Sequence, residues 1–231
     1  MSGGSYARRM SERTTPASPT RAERRGQATA DTHAAILAAA RARLLADGYA
    51  NLSTRAVAEA AGVPLSQIHY HFGSKRQLIL AVLDAENARL LERQRAMFDA
   101  PEPLWVRWEL ACDFLDTDIE SGYVRILQEM IAAGWSDPVV AAAVRDMVGA
   151  WPLMLSDVAR REQERGVDFG DFTPEEIGAL MGIPFLGAEE LILLGVIESV
   201  SPMRSALRKV GVLLQRIAEP GSEREPATTG S

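Results

Sequence analysis

Reactive side chains are scarce in this chain. It has one cysteine, Cys112, and three histidines, His33, His69 and His71, among 231 residues. A lone cysteine excludes an internal disulfide, and so few soft ligands argue against a zinc centre. There is no Gly-rich phosphate loop, no G-x-S-x-G elbow, no H-E-x-x-H helix and no cysteine pair, so no catalytic residues, metal or cofactor are expected. No run of about eighteen apolar residues occurs. The first residues are polar and Arg-bearing with no apolar segment behind them, which predicts a cytoplasmic protein with no membrane partner. Strand-like alternation of useful length is also lacking, which leaves an all-α architecture of about nine helices.

Positive charge is lacking overall but not everywhere. The net charge is −6, yet residues 1–95 hold 14 Lys and Arg against 8 Asp and Glu, and residues 96–231 hold 11 against 23. A basic front half suits phosphate neutralisation, while an acidic rear half is repelled from a duplex. Arg8, Arg9, Arg13, Arg21, Arg24 and Arg25 fall in a Pro- and Ser/Thr-rich stretch with no apolar period. Residues 1–28 are therefore expected to be a disordered basic arm, either following phosphates or serving only as a solubilising extension.

The richest segment is Ser53–Lys75, STRAVAEAAGVPLSQIHYHFGSK. Ser53 is placed to cap a first short helix whose inner face carries Val57 and Ala60. Gly62 permits the left-handed turn that ends it, Val63 can cover the corner, and Pro64 is tolerated at the start of a second helix. Ile68 and Phe72, four apart, share the face that locks this second helix onto the first. At about 100° per residue, Ser66, Gln67 and Tyr70 then point away, with Leu65, His69 and His71 at the borders. Gln pairs with adenine edges, Ser adapts to several, and an apolar side chain such as Leu65 meets a thymine methyl. The 40° separation of Leu65 from the inner face leaves it equally suited to the core. Ser53, Thr54, His69, Tyr70, His71 and Lys75 suit phosphate oxygens, and Ser74 opens a third helix whose N-terminus favours an anion. His69 and His71 diverge on a helix, which disfavours their sharing a metal.

Helix, glycine turn, helix and then I-H-Y-H-F-G-S-K resemble the TetR family of bacterial transcriptional regulators over about residues 30–80. His69 stands where the family usually has Tyr, and Pro64 where a Ser or Thr cap is common. The resemblance implies an all-helical homodimer with a three-helix DNA-binding head and a larger ligand-binding body. It also implies DNA contacts from Ser53, Thr54, Arg55, Leu65, Ser66, Gln67, His69, Tyr70, His71 and Lys75. The expected partners are a double-stranded operator, a second copy of the chain and an unknown small-molecule effector. The expected division is an arm at 1–28, a head at 29–75, a body at 76–218 and a disordered tail at 219–231.

Helix one should run from near Asp31 to Asp47, and a long helix from Ser74 toward Met97 should link head and body. Further helices are expected near 104–120, 122–133, 137–165, 174–199 and 202–218. Asp137-Pro138 and Ser201-Pro202 read as caps before an N1 proline, and Thr173-Pro-Glu-Glu176 as a capping box. Met203, Leu207, Val210, Leu214 and Ile217 form a narrow seam, and 177–194 is apolar nearly all round. Together these suggest a four-helix dimer contact, with an intramolecular hairpin as the alternative. Trp105, Trp108, Trp135, Trp151, Met154 and Phe185 are candidates for an adaptable apolar pocket, though any core uses the same residues. Glu189 and Glu190 interrupt an apolar run. Each must reach solvent, pair with an Arg, or meet a ligand, and a structural partner is the first expectation. Two other classes compete: an enzyme, for which Glu189 and Glu190 are splayed too far to share acid–base work, and a small-molecule-binding or protein-interaction helical module with a vestigial head.

Overall fold

The computed structural model describes residues 20–196 and 202–218. These form nine α-helices and no strand: α1 (Arg21–Asn51), α2 (Thr54–Ala60), α3 (Leu65–Phe72), α4 (Lys75–Phe98), α5 (Leu104–Glu120), α6 (Tyr123–Gly134), α7 (Pro138–Glu164), α8 (Pro174–Leu193) and α9 (Met203–Ala218). Helix starts follow the local chemistry. Ser74 accepts the Gln77 amide, Asp137 accepts from Val139 and Val140, and Thr173 with Glu176 closes a full capping box.

Helix one differs from expectation at both ends. It starts at Arg21, so residues 21–28 are helical rather than part of a disordered arm, and it runs to Asn51 across a break at Gly48, whose φ is 75°. Residues 24–31 are exposed on every side, so this extra length is a polar helix that projects from the head. Arg8, Arg9 and Arg13, the 219–231 tail and the Ser201 cap lie outside the described residues. In α8, regular helix ends at Leu193, not near 199, because Gly195 turns left-handed at φ 78°.

Two apolar cores hold the helices. The first joins Ile36, Ala40 and Leu44 of α1 to Val57, Ile68, Leu78, Ile79 and Val82, and continues into Ile126, Met130 and Val140. The second gathers Phe98, Trp108, Leu155, Met181 and Leu207. Helix α7 is the one described helix long and apolar enough, by length and composition, to cross a membrane. Its Val144, Leu155, Val158 and Ala159 are instead buried in the two cores. Gly178 allows α8 to lie against α7: a Cβ there would stand 2.6 Å from Pro152 O and 2.7 Å from Ser156 N.

Apart from exposed Ile217, the seam on α9 is intramolecular. Met203, Leu207 and Leu214 are buried in the second core, and Trp108 Nε1 donates to Leu207 O at 2.7 Å. The apolar groups that α9 leaves exposed are Val212, Leu213 and Ile217. Buried Arg107 donates to Glu162 at 2.5 Å and to Phe98 O, so charge in the core is paired.

Candidate nucleic-acid interface and body cavity

The corner between α2 and α3 forms as the glycine requires. Gly62 sits at φ 67°, and Val63 N donates to Ala58 O at 3.0 Å. Val57 and Ala58 are the buried residues of α2, whereas Ala60 is exposed, so Ala58 takes the inner place expected for Ala60. Ser53 occupies the N-cap of α2 but its hydroxyl makes no capping bond. Pro64 is itself the N-cap of α3, with Leu65 as first helical residue, so no side chain caps this helix.

Ile68 is fully buried and anchors α3, while Phe72 is half-buried. Opposite them Ser66 is exposed, Gln67 half-buried, and Tyr70 is 75 % exposed. An apolar anchor below and polar groups above are what a helix needs to enter a major groove. Arg55 is exposed beside Ser53, and Thr54 is half-buried. Leu65 is half-buried against the first core, so its contact with α3's own support is real.

Three predicted contacts also have local partners. His69 Nδ1 lies 3.2 Å from Gly73 O, closing the end of α3. His71 packs edge-on to Tyr70 and to His33, with ring centroids 5.0 and 5.7 Å apart, and His33 stacks on Phe72. His33 was not singled out from sequence, because nothing local relates it to a helix nearly forty residues away. Lys75 Nζ donates to Ala50 O at 3.1 Å and lies over the Tyr49 ring. Its ammonium has three donors, so one carbonyl leaves capacity for a phosphate.

Polar links join the head and the start of α4 to the rest of the body. Glu129 of α6 accepts the Tyr49 amide at 2.5 Å, just past the Gly48 break. Arg76 pairs with Asp137 at 3.0 Å, and this hydrogen-bonded guanidinium, ahead of the Val139 and Val140 amides, holds the Asp137 carboxyl below its usual range. Arg41 of α1 binds Glu86 at 2.9 Å and Ser121 O at 2.5 Å. Sequence inspection missed Glu129, Arg76 and Arg41, since each acts on a residue at least 45 positions away.

Inside the body lies a cavity of about 80 Å³ lined by Tyr123, Leu127, Trp151, Phe185 and Glu189 among others. A narrower recess, reaching Trp108, Gln94 and Asp118, shares Trp151, Phe185 and Glu189 with it. Pro152 in α7 lines the wall. Having no N–H, it leaves a carbonyl of the preceding turn without its helical donor. Of the candidates from sequence, Trp151, Phe185 and Glu189 therefore line both the cavity and the recess, and Trp108 lines the recess alone. Trp135 does not: it is 88 % exposed at the end of α6. Trp105 and Met154 line neither space and pack with the second core, because their helical positions turn them toward neighbouring helices. Glu190 is exposed and solvated, as one of its three options allowed. Glu189 is half-buried and has no ion pair or hydrogen bond among the described residues, which overturns the expectation of a structural partner. Burial, and secondarily the Asp118 charge, push its carboxyl up to about 8.

Residues 36–82 match the family described as bacterial regulatory proteins, tetR family. Solved structures resemble nearly the whole described chain. A TetR-family transcriptional regulator from Pectobacterium atrosepticum is 24 % identical, with a TM-score of 0.63, covering 87 % of this chain and 97 % of its own. A TetR transcription regulator from Haloarcula marismortui is 22 % identical, with a TM-score of 0.65 and coverage of 80 % and 96 %. A Saccharomonospora viridis protein solved in complex with choline is 21 % identical, with a TM-score of 0.60 and coverage of 80 % and 95 %. At these identities the likeness is one of fold. No curated protein sequence matches the chain.

Proposed function

From a chain whose residues 36–82 match the tetR family of bacterial regulatory proteins, and that has the fold of TetR-family structures, we propose a ligand-responsive transcriptional regulator. It acts as a repressor, binds a palindromic operator as a homodimer, and is released by a small molecule held in the body. The observation that carries this reading is α3, anchored by buried Ile68 and presenting Ser66, Gln67 and Tyr70 outward. Base reading falls to Ser66 and Gln67, with Leu65 at the thymine-methyl position. Phosphate contacts fall to Ser53, Thr54, Arg55, His69, Tyr70, His71 and Lys75, and the exposed helical stretch bearing Arg21, Arg24 and Arg25 extends the basic surface.

The functional division is a head at 29–75 and a body from 76 to 218. Leu180, Ile183, Leu191 and Leu194 of α8 and its end, with Leu213 and Ile217 of α9, are exposed and apolar. A second copy covering them is the simplest way to remove that surface from water. Two recognition helices about 34–36 Å apart then meet successive major grooves.

Coupling uses two helices that touch both ends. Leu90 of α4 and Tyr123 and Leu127 of α6 line the cavity, while the start of α4 carries Lys75 and Arg76 and α6 carries Glu129. An effector that favours one arrangement of α6 against α4 shifts the heads, and by reciprocity operator DNA weakens effector binding by the same factor. The S. viridis protein, solved in complex with choline, supports a small-molecule ligand for a protein of this fold.

The test is selection of bound fragments from random DNA with the full chain. The expected result is a two-fold symmetric site with half-sites one helical turn apart. Gln67→Ala should shift the selected bases and cost about 1–3 kcal/mol at the affected position. Recovery of no sequence preference at low salt would remove the regulator reading.

A further inference from the structure

We propose that the body cavity takes a protonated organic amine, with its ammonium against Glu189 and its apolar part among Trp151, Phe185 and Leu127. This rests on the reading of the body as the effector site and adds the ligand's chemical class. Among the described residues, no Lys, Arg or His lines the cavity or its recess. The other charged groups nearby already have partners. Asp118 of α5 is held by Arg93 of α4 at 2.6 Å, and that guanidinium also lies 4.5 Å from the centre of the Phe114 ring. Glu86 of α4 is held by Arg41 and Arg89. The Tyr123 hydroxyl of α6 donates to Asn87 Oδ1 at 3.1 Å. Of the carboxyl groups of Asp118, Glu86 and Glu189, that of Glu189 is the one without a counter-ion among the described residues.

A second observation points the same way. Gln94, only 3 % exposed, lines the recess, and its amide oxygen is buried with no hydrogen-bond partner. The site thus has a carboxylate and an amide oxygen seeking donors, and no protein cation to supply them. An ammonium supplies donors and charge together, and Trp151 and Phe185, which line both spaces, are aromatic partners of the kind that attract a cation. A neutral or anionic ligand would leave the Glu189 carboxyl holding its proton, whereas an ammonium beside it favours the ionised form and pairs with it. The small volume suits a slender ligand, whose chain runs beside Leu127 and half-buried Leu186.

The experiment is calorimetric titration of the full-length protein at pH 8 with hexylamine and with hexan-1-ol, its neutral counterpart of the same length. Hexylammonium is expected to bind at least about tenfold more tightly than the alcohol. Glu189→Gln should reduce that preference to near unity while leaving the alcohol's affinity within about twofold. Glu189→Asp, which keeps the charge but shortens the side chain, should retain part of it, so a packing defect is distinguished from loss of charge. Equal binding of amine and alcohol, an unchanged preference in Glu189→Gln, or no binding of either compound would overturn the proposal. Operator affinity, measured separately with and without hexylamine, reports on the regulator reading. Amine binding that leaves DNA binding unchanged would sink the switch and keep the amine site.

Discussion

Replacing Glu129 with alanine tests how the head is fastened to the body. Gly48 leaves the helical region at φ 75° and ψ 166°, so the Tyr49 amide no longer points along α1 toward a carbonyl one turn back. Glu129 Oε2 accepts that amide at 2.5 Å, and Oε1 lies 3.4 Å from Arg125. A hydrogen bond to a charged group contributes about 1.5–3 kcal/mol. The Glu129 side chain is 27 % exposed, so water replaces part of the loss. The exposed Arg125 pair adds little. The expected destabilisation is about 1–2 kcal/mol for Glu129→Ala, and about half that for Glu129→Gln, whose carbonyl can still accept. Urea unfolding followed by far-UV circular dichroism, with the slope held common, gives the difference. Because α6 also lines the cavity, the variant should further weaken any effector-driven change in operator affinity. A Glu129→Ala protein within about 0.5 kcal/mol of the parent would refute the clamp.

Gly178→Ala should destabilise by about 1–3 kcal/mol, since its new methyl meets Pro152 O and Ser156 with no flexible group to yield, and an unchanged melting curve would contradict the close α7–α8 packing. The Glu189 carboxyl rises from its usual 4.5 to about 8 on folding, so the stability of the ligand-free protein should fall as pH increases from about 4.5 to 8. Glu189→Gln removes this ionisation and should be the more stable protein at pH 8 but not at pH 4, as paired denaturation curves would reveal. Burial, with Asp113 and Glu109 adding to it against Arg208, pushes the Cys112 thiol up to about 11. At pH 8 only about one part in a thousand is thiolate, so a disulfide reagent should label Cys112 rapidly in denaturant and very slowly in the native state.

The local features were legible in the sequence because their causes are local. Asp137, Thr173 with Glu176, and Ser74 cap helices through neighbours two or three residues away, and Gly62 turns the chain by its own backbone freedom. The outward face of α3 followed from helical period once Ile68 was taken as its anchor. Ends without a strong stop signal were less legible. Arg21, Ala28 and the residues between them carry no apolar period, yet α1 includes them as an exposed stretch of helix.

Which tryptophan reaches the cavity, which face of α9 turns inward, and which carboxylate stays unpaired were decided by the tertiary structure. Trp135 and Trp151 are the same residue type on adjoining helices, but one lies on solvent and the other on the cavity. Helical period fixes how residues on one helix lie relative to one another, and so the sequence could supply the seam on α9. The rotation of that helix against α5 depends on how Trp108, Leu207 and Gly211 fit together across about a hundred residues. The same holds for Glu189, whose adjacency to Glu190 was plain. That one faces water and the other an aromatic recess follows from packing α8 against α7, which no stretch of neighbouring residues encodes.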